Sequence, residues 1–97
     1  MENITKIKEK FIVIDPKDNV ATARTEVNAE TLLIADNGNN IKAKDHISFG
    51  HKMALKDITK GEPVIKYGQR IGIATQDITV GELVHTHNLS GERGMAR

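Results

Sequence analysis

The residues best suited to chemistry in this chain are its four histidines, His46, His51, His85 and His87. Two of them fall in the run Val84-His85-Thr86-His87-Asn88. On a strand, a period of two puts both imidazoles on one face, with Cα atoms about 6–7 Å apart. That separation suits two ligands on one divalent metal, or one ligand beside one acid/base group. The same spacing also describes two surface histidines on an exposed strand. His51 follows Gly50 just past a turn signal and joins the same site if the strands pair. His46 reads as a surface turn residue.

Positive charge gathers nearby. Lys52, Lys56, Lys60, Lys66 and Arg70 lie within nineteen residues, interrupted by Asp57 and Glu62. Such a cluster can draw in an anionic substrate, or it can be an ordinary solvated face. Lys66-Tyr67-Gly68 closes a run of strand-forming residues. Its lysine and tyrosine can reach a carboxylate or hydroxyl, or can simply cap an amphipathic strand. No glycine-rich phosphate-binding motif is present, and no serine is singled out as a nucleophile.

The elements that must position these groups are short and β-rich. Phe11-Ile12-Val13-Ile14 ends at Asp15-Pro16, and Val20-Ala21-Thr22-Ala23 follows the turn signal Asp18-Asn19. Leu32-Leu33-Ile34 stops at Asp36-Asn37-Gly38-Asn39-Asn40, where Asn-Gly supplies the positive φ of a tight hairpin. Its return strand is Ile41-Lys42-Ala43-Lys44. Helix signals are weak, with room for a turn or two at 21–30 and 52–57. Residues 57–64 recur at 77–84 with six of eight positions identical, and a looser copy occupies 46–53. Each copy reads as a strand end, a turn with glycine in the left-handed region, and a new strand. Two or three copies are too few for a solenoid, so the pattern predicts pseudo-symmetry inside a single compact, mainly β domain.

Composition narrows the function. The 97 residues carry 14 Lys+Arg against 13 Asp+Glu, a net charge of +1, and contain no cysteine. A thiolate metal site and a disulfide framework are excluded. So even a balance, with only Phe11, Phe49 and Tyr67 as aromatics, argues against nucleic-acid binding. No apolar run approaches a membrane span, and the charged N-terminus does not read as a signal peptide, so a soluble, cytoplasmic protein is expected.

Residues 50–88 carry three elements together: Gly50-His51-Lys52, Val64-Ile65-Lys66-Tyr67-Gly68 and His85-Thr86-His87-Asn88. With Asp18-Asn19-Val20-Ala21 earlier, they resemble the N-terminal domain of the altronate and galactarate dehydratase family. The small subunit of sulfolactate sulfo-lyase belongs to the same family. The resemblance implies a SAF domain, a β-clip fold of bent, paired strands over residues 1–89, with 90–97 as tail or linker. It implies a lyase acting on small hydroxy acids, dependent on a divalent metal, with iron(II) the usual candidate. It also implies a much larger catalytic part, as a separate subunit or a C-terminal continuation. On the matched positions His85 and His87 are expected as metal or acid/base residues, with His51 as a further catalytic candidate. Lys52, Lys66 and Asn88 are expected as substrate contacts. The other readings are a non-catalytic sugar-acid-binding module and a pure assembly module.

Overall fold

Short β-branched runs punctuated by turns give short strands. The computed structural model describes residues 5–91. In chain order the elements are β1 (Thr5–Lys6), α1 (Ile7–Lys10), β2 (Phe11–Ile12), β3 (Val20–Ala23), β4 (Leu32–Ile34), β5 (Asn40–Lys42), β6 (Lys52–Ala54), β7 (Pro63–Lys66), β8 (Gln69–Ala74), β9 (Leu83–Val84) and β10 (Leu89–Gly91). They form three sheets, ordered β1-β4-β5, β2-β3-β6-β9 and β10-β8-β7. The mainly β class is as expected. No helix among the described residues is long and apolar enough to cross a membrane.

Two local expectations need correction. Residues 21–30 and 52–57 hold no helical turn, because β3 and β6 each find an antiparallel partner on both sides. The short helix lies instead at Ile7–Lys10, where Ile7 is buried. Ser90 and Gly91, expected as the start of a tail, join Leu89 in a strand that pairs antiparallel with β8, so the folded unit runs at least to residue 91. The β4–β5 hairpin forms where Asn37-Gly38 marks it: Gly38 takes positive φ (+89°), and its N–H donates to the Ala35 carbonyl at 2.9 Å.

The repeat is deeper than the sequence displays. Val27 and Ile47 exchange both backbone hydrogen bonds (2.9 and 2.8 Å), and Ile58 and Ile78 do the same (2.8 and 2.7 Å). Gly50 N–H donates to Ala23 O and Gly81 N–H to Ala54 O; Glu30 N–H donates to Ala43 O and Gly61 N–H to Ala74 O. Every one of these pairs is shifted by 31 residues, as from Ala23 to Ala54. The chain is therefore two copies of one unit, each with two turns. Each copy has its own core, and the buried residues correspond: Ala23, Val27, Leu33, Ala43, Ile47 and Met53 in the first, Ala54, Ile58, Val64, Ala74, Ile78 and Val84 in the second.

The four turns also correspond. In three of them glycine takes the left-handed position (Gly50, Gly61 and Gly81, φ +85° to +94°), and in the fourth Glu30 does so at +75°. In the second copy the turns are capped reciprocally: Asp57 accepts from Val80 N–H and Asp77 from Lys60 N–H, both at 2.9 Å. The equivalent first-copy positions are Glu26 and His46, whose side chains pair at 2.8 Å on the surface. His46 thus stands at a turn of the surface, as its sequence context indicates.

Left-handed backbone costs a non-glycine residue about 1–2 kcal/mol, partly offset by the greater chain entropy glycine loses on folding. Glu30→Gly is therefore expected to stabilise the chain by about 0.5–1 kcal/mol, a rise in Tm of a few degrees. Gly81→Ala is expected to cost about 2–3 kcal/mol or more, because its Cβ would run into the Lys42 carbonyl. Thermal unfolding of the two variants checks both.

Candidate functional site

The site lies where β6 begins, β9 ends and the β7–β8 hairpin turns back. β6 and β9 pair with Lys52 opposite Val84 and Met53 opposite Leu83. One step further out the same register sets His51 against His85. Their rings meet edge to face, with centroids 4.9 Å apart and planes at 78°. His51 is partly buried and His85 exposed.

The expected strand through residues 84–88 ends at Val84. The chain turns at once, with Asn88 N–H and Leu89 N–H both donating to the His85 carbonyl (3.0 and 2.9 Å). Strand alternation therefore does not place His87 with His85, and the imidazole that meets His85 is that of His51. His87 is exposed in the turn, and its carbonyl accepts from Gln76 Nε2 at 2.7 Å. Asn88 is 3% exposed. Its Oδ1 accepts from His85 N–H and its Nδ2 donates to the Leu83 carbonyl, each at 2.9 Å. A side chain bound in this way to the backbone on both sides of Val84 holds the loop that carries His85. Asn88 thus holds the His85 loop through both ends of its amide.

Lys52 and Lys66, fourteen residues apart in the chain, come together. Burial lowers the Lys52 pKa, and the Lys66 ammonium lowers it further. Neither lysine has a carboxylate partner among the described residues. Folding therefore concentrates positive charge here without neutralising it, and strand alternation turns the neighbouring His51, with His85, to the other side of the sheet edge. Two ammoniums so arranged can bind a carboxylate, and imidazole is a group that can exchange a proton.

Two residues read as a turn signal and as part of the family-like stretch Asp18-Asn19-Val20-Ala21 build this arrangement. Asn19 clamps β7: its Oδ1 accepts from Ile65 N–H (2.7 Å), its Nδ2 donates to Pro63 O (2.9 Å), and its own N–H donates to Ile65 O (3.1 Å). Asp18, 4% exposed, accepts from Gly68 N–H at 2.7 Å and fixes the hairpin tip. Both polar side chains reach partners more than forty residues away, which no local pattern announces. Thr22, paired with Lys52 across the sheet, carries a buried Oγ1 with no hydrogen-bond partner.

The donor set for a metal is incomplete among the described residues. Among the described residues no three His, Asp or Glu side chains converge to hold an ion. His51 and His85 are two imidazoles without a third donor, short of the three protein ligands that catalytic zinc sites keep, for example.

Because Lys52 carries its charge in a partly desolvated place beside a second cation, its protonated form disfavours folding. Its folded pKa lies below its unfolded one, so stability rises with pH through that window, up to the ordinary lysine range. Lys52→Met is expected to raise Tm at pH 7 and to flatten that rise, as thermal melts across pH would show.

Comparison with known proteins identifies the frame that carries this site. The family model described as the altronate/galactarate dehydratase SAF domain matches residues 9–92. The chain is 42% identical over 80 residues to altronate dehydratase of Bacillus subtilis, covering 82% of this chain and 16% of that protein. It is 43% identical over 79 residues to altronate dehydratase of Escherichia coli, again covering 16% of the relative. It is 38% identical over 89 residues to (2R)-sulfolactate sulfo-lyase subunit alpha of Chromohalobacter salexigens, covering 86% of this chain and 95% of the relative. The chain thus spans about a sixth of the dehydratases and nearly all of the sulfo-lyase subunit. With the paired strands, glycine turns and motif residues all in place, the chain belongs to the family of altronate/galactarate dehydratase SAF domains.

Proposed function

We propose that this chain supplies the carboxylate-binding edge of a hydroxy-acid lyase, a sugar-acid dehydratase, whose larger catalytic part completes the site. The observation that carries this reading is the Lys52–Lys66 pair, brought together without a counter-ion. A substrate carboxylate between the two ammoniums would supply the missing charge. Similarity to altronate dehydratases over the whole motif region supports the same reaction class.

Dehydration removes the proton α to the carboxylate and the hydroxyl on the next carbon. The C–H electron pair becomes the new C=C bond, and the C–O pair leaves, with a proton, as water. Negative charge grows toward the carboxylate as the α-proton departs, and Lys52 and Lys66 face that charge. His51 and His85 are the groups able to accept or return a proton near neutral pH. His87 belongs with them as a second exposed imidazole on the same loop. A divalent metal such as iron(II), if the reaction uses one, would polarise the departing hydroxyl. His85 would be its ligand from this chain, and the remaining ligands would come from the larger part. A surface edge this open encloses little of a polyhydroxy acid, so the partner is needed to exclude water.

A second reading, the alpha subunit of a sulfolactate sulfo-lyase, is favoured by the 95% coverage of that relative. Its substrate also presents a carboxylate to the lysine pair, with sulfite as the group that leaves.

The test begins with recovery of the tagged chain, with its partner, from its own cells. A stoichiometric protein of several hundred residues is expected, with lyase activity on altronate, galactarate or sulfolactate deciding between the two readings. In that assembly Lys52→Gln and Lys66→Gln are expected to lower kcat/KM by about 10²-fold, mainly through KM, and His85→Ala to lower kcat by 10²-fold or more. If all three stay within a few-fold of the parent, this edge takes no part in catalysis.

A further inference from the structure

β7 and β8 are joined by the two residues Tyr67-Gly68, between the paired Lys66 and Gln69. Both have positive φ, +58° and +73°. This is a mirror-type hairpin turn, whose first position favours asparagine, aspartate or glycine. A bulky side chain there is an outlier, since its β carbon crowds the following carbonyl. Strain of this kind persists only where the surroundings impose it. Here they do: Asp18 holds Gly68 N–H, and a Cβ on Gly68 would stand 2.7 Å from Asp15 Oδ2.

The fold gains little from the ring that bears this strain. Tyr67 is 50% exposed, packs against neither core, and its hydroxyl has no partner among the described residues. What the ring does touch is Lys66, whose Nζ lies 4.7 Å from its centroid. A lysine stem has four rotatable bonds, and an ammonium facing another ammonium gains by swinging into water. An aromatic face is the one attraction in place that opposes this.

We propose that Tyr67 is a positioning residue, its ring held on a strained turn so that the Lys66 ammonium stands beside Lys52 before any ligand arrives. This rests on the reading of the two lysines as the carboxylate-binding edge. Preorganising the pair spares the ligand the entropy of ordering it, which gives a tyrosine a use at a turn position that an asparagine fits better.

The experiment compares Tyr67→Asn and Tyr67→Phe with the parent full chain by thermal melts and by NMR of the lysine ε positions. Tyr67→Asn is expected to raise Tm by about 2–5 °C, since it relieves the turn. It should also abolish the ring-current shift of the Lys66 ε-methylene and move the Lys52 titration up toward that of an ordinary lysine. Tyr67→Phe, which keeps the ring, should preserve both signatures. If Tyr67→Asn lowers Tm, or leaves the Lys66 shift and the Lys52 titration unchanged, the proposal is overturned. Lys66→Gln in the assembled enzyme separates the two ideas. An unchanged KM for galactarate would remove the carboxylate-binding role and leave the NMR signatures to judge the ring's hold on Lys66.

Discussion

Met53 and Ala54 are adjacent and both fully buried, yet they serve different cores, because β6 runs between β3 and β9 with a core on each face. Alternation along the strand sends Met53 toward the first core and Ala54 toward the second. The same alternation sends the residues just before them to opposite sides of the sheet edge. His51 turns to the side of Met53 and meets His85, and Lys52 turns to the side of Ala54 and meets Lys66. A slip of one residue in this register would exchange the two faces and undo both cores and both pairs together. The chemistry of the edge is thus tied to the packing of the whole chain.

The two cores are small, and a small core buries little apolar surface of its own. The shared central sheet solves this by giving each core a wall that the other core supports. Backbone exchange between Val27 and Ile47, and between Ile58 and Ile78, closes each copy around its pair of turns. The turns then need left-handed residues, which explains glycine at three of the four positions. Capping in the second copy uses aspartates that each serve the opposite turn. In the first copy a glutamate and a histidine take those places and pair with each other, a weaker surface contact.

At the edge the fold works against charge neutrality. The half-buried Asn19 and the buried Asp18 pull the β7–β8 hairpin against β3, and the result brings Lys66 beside Lys52. Stability alone would favour a carboxylate or an apolar residue there. Asn88 spends a buried amide in the same way on the loop of His85. Asp18, Asn19 and Asn88 are satisfied by backbone groups of the chain, while Lys52 and Lys66 have no carboxylate partner among the described residues, the partner that the proposed substrate would supply.

Much of this was legible in the sequence. The strand cores at residues 11–12, 20–23 and 32–34 follow from β-branched runs, and the glycine turns follow from the repeat at 57–64 and 77–84. The motif residues Gly50-His51-Lys52 and Lys66-Tyr67-Gly68 drew attention to segments that fold onto one edge. The 31-residue duplication showed only as the looser copy at 46–53, because three of the six corresponding core positions keep identity (Ala23 and Ala54, Ala43 and Ala74, Ile47 and Ile78) while pairs such as Leu33 and Val64 or Met53 and Val84 keep apolarity alone. The partner of His85 was misread because local alternation pointed to His87, two residues on. Only the β6–β9 register brings in His51, 34 residues away in the chain. The burial of Asp18 and Asn88 was also beyond reach, since a polar side chain looks the same in sequence whether water or a distant backbone satisfies it. The sequence by itself determined the strands, the turns and the residues that bear charge. Tertiary pairing decided which of them meet, because register is a property of two segments and is written in neither alone.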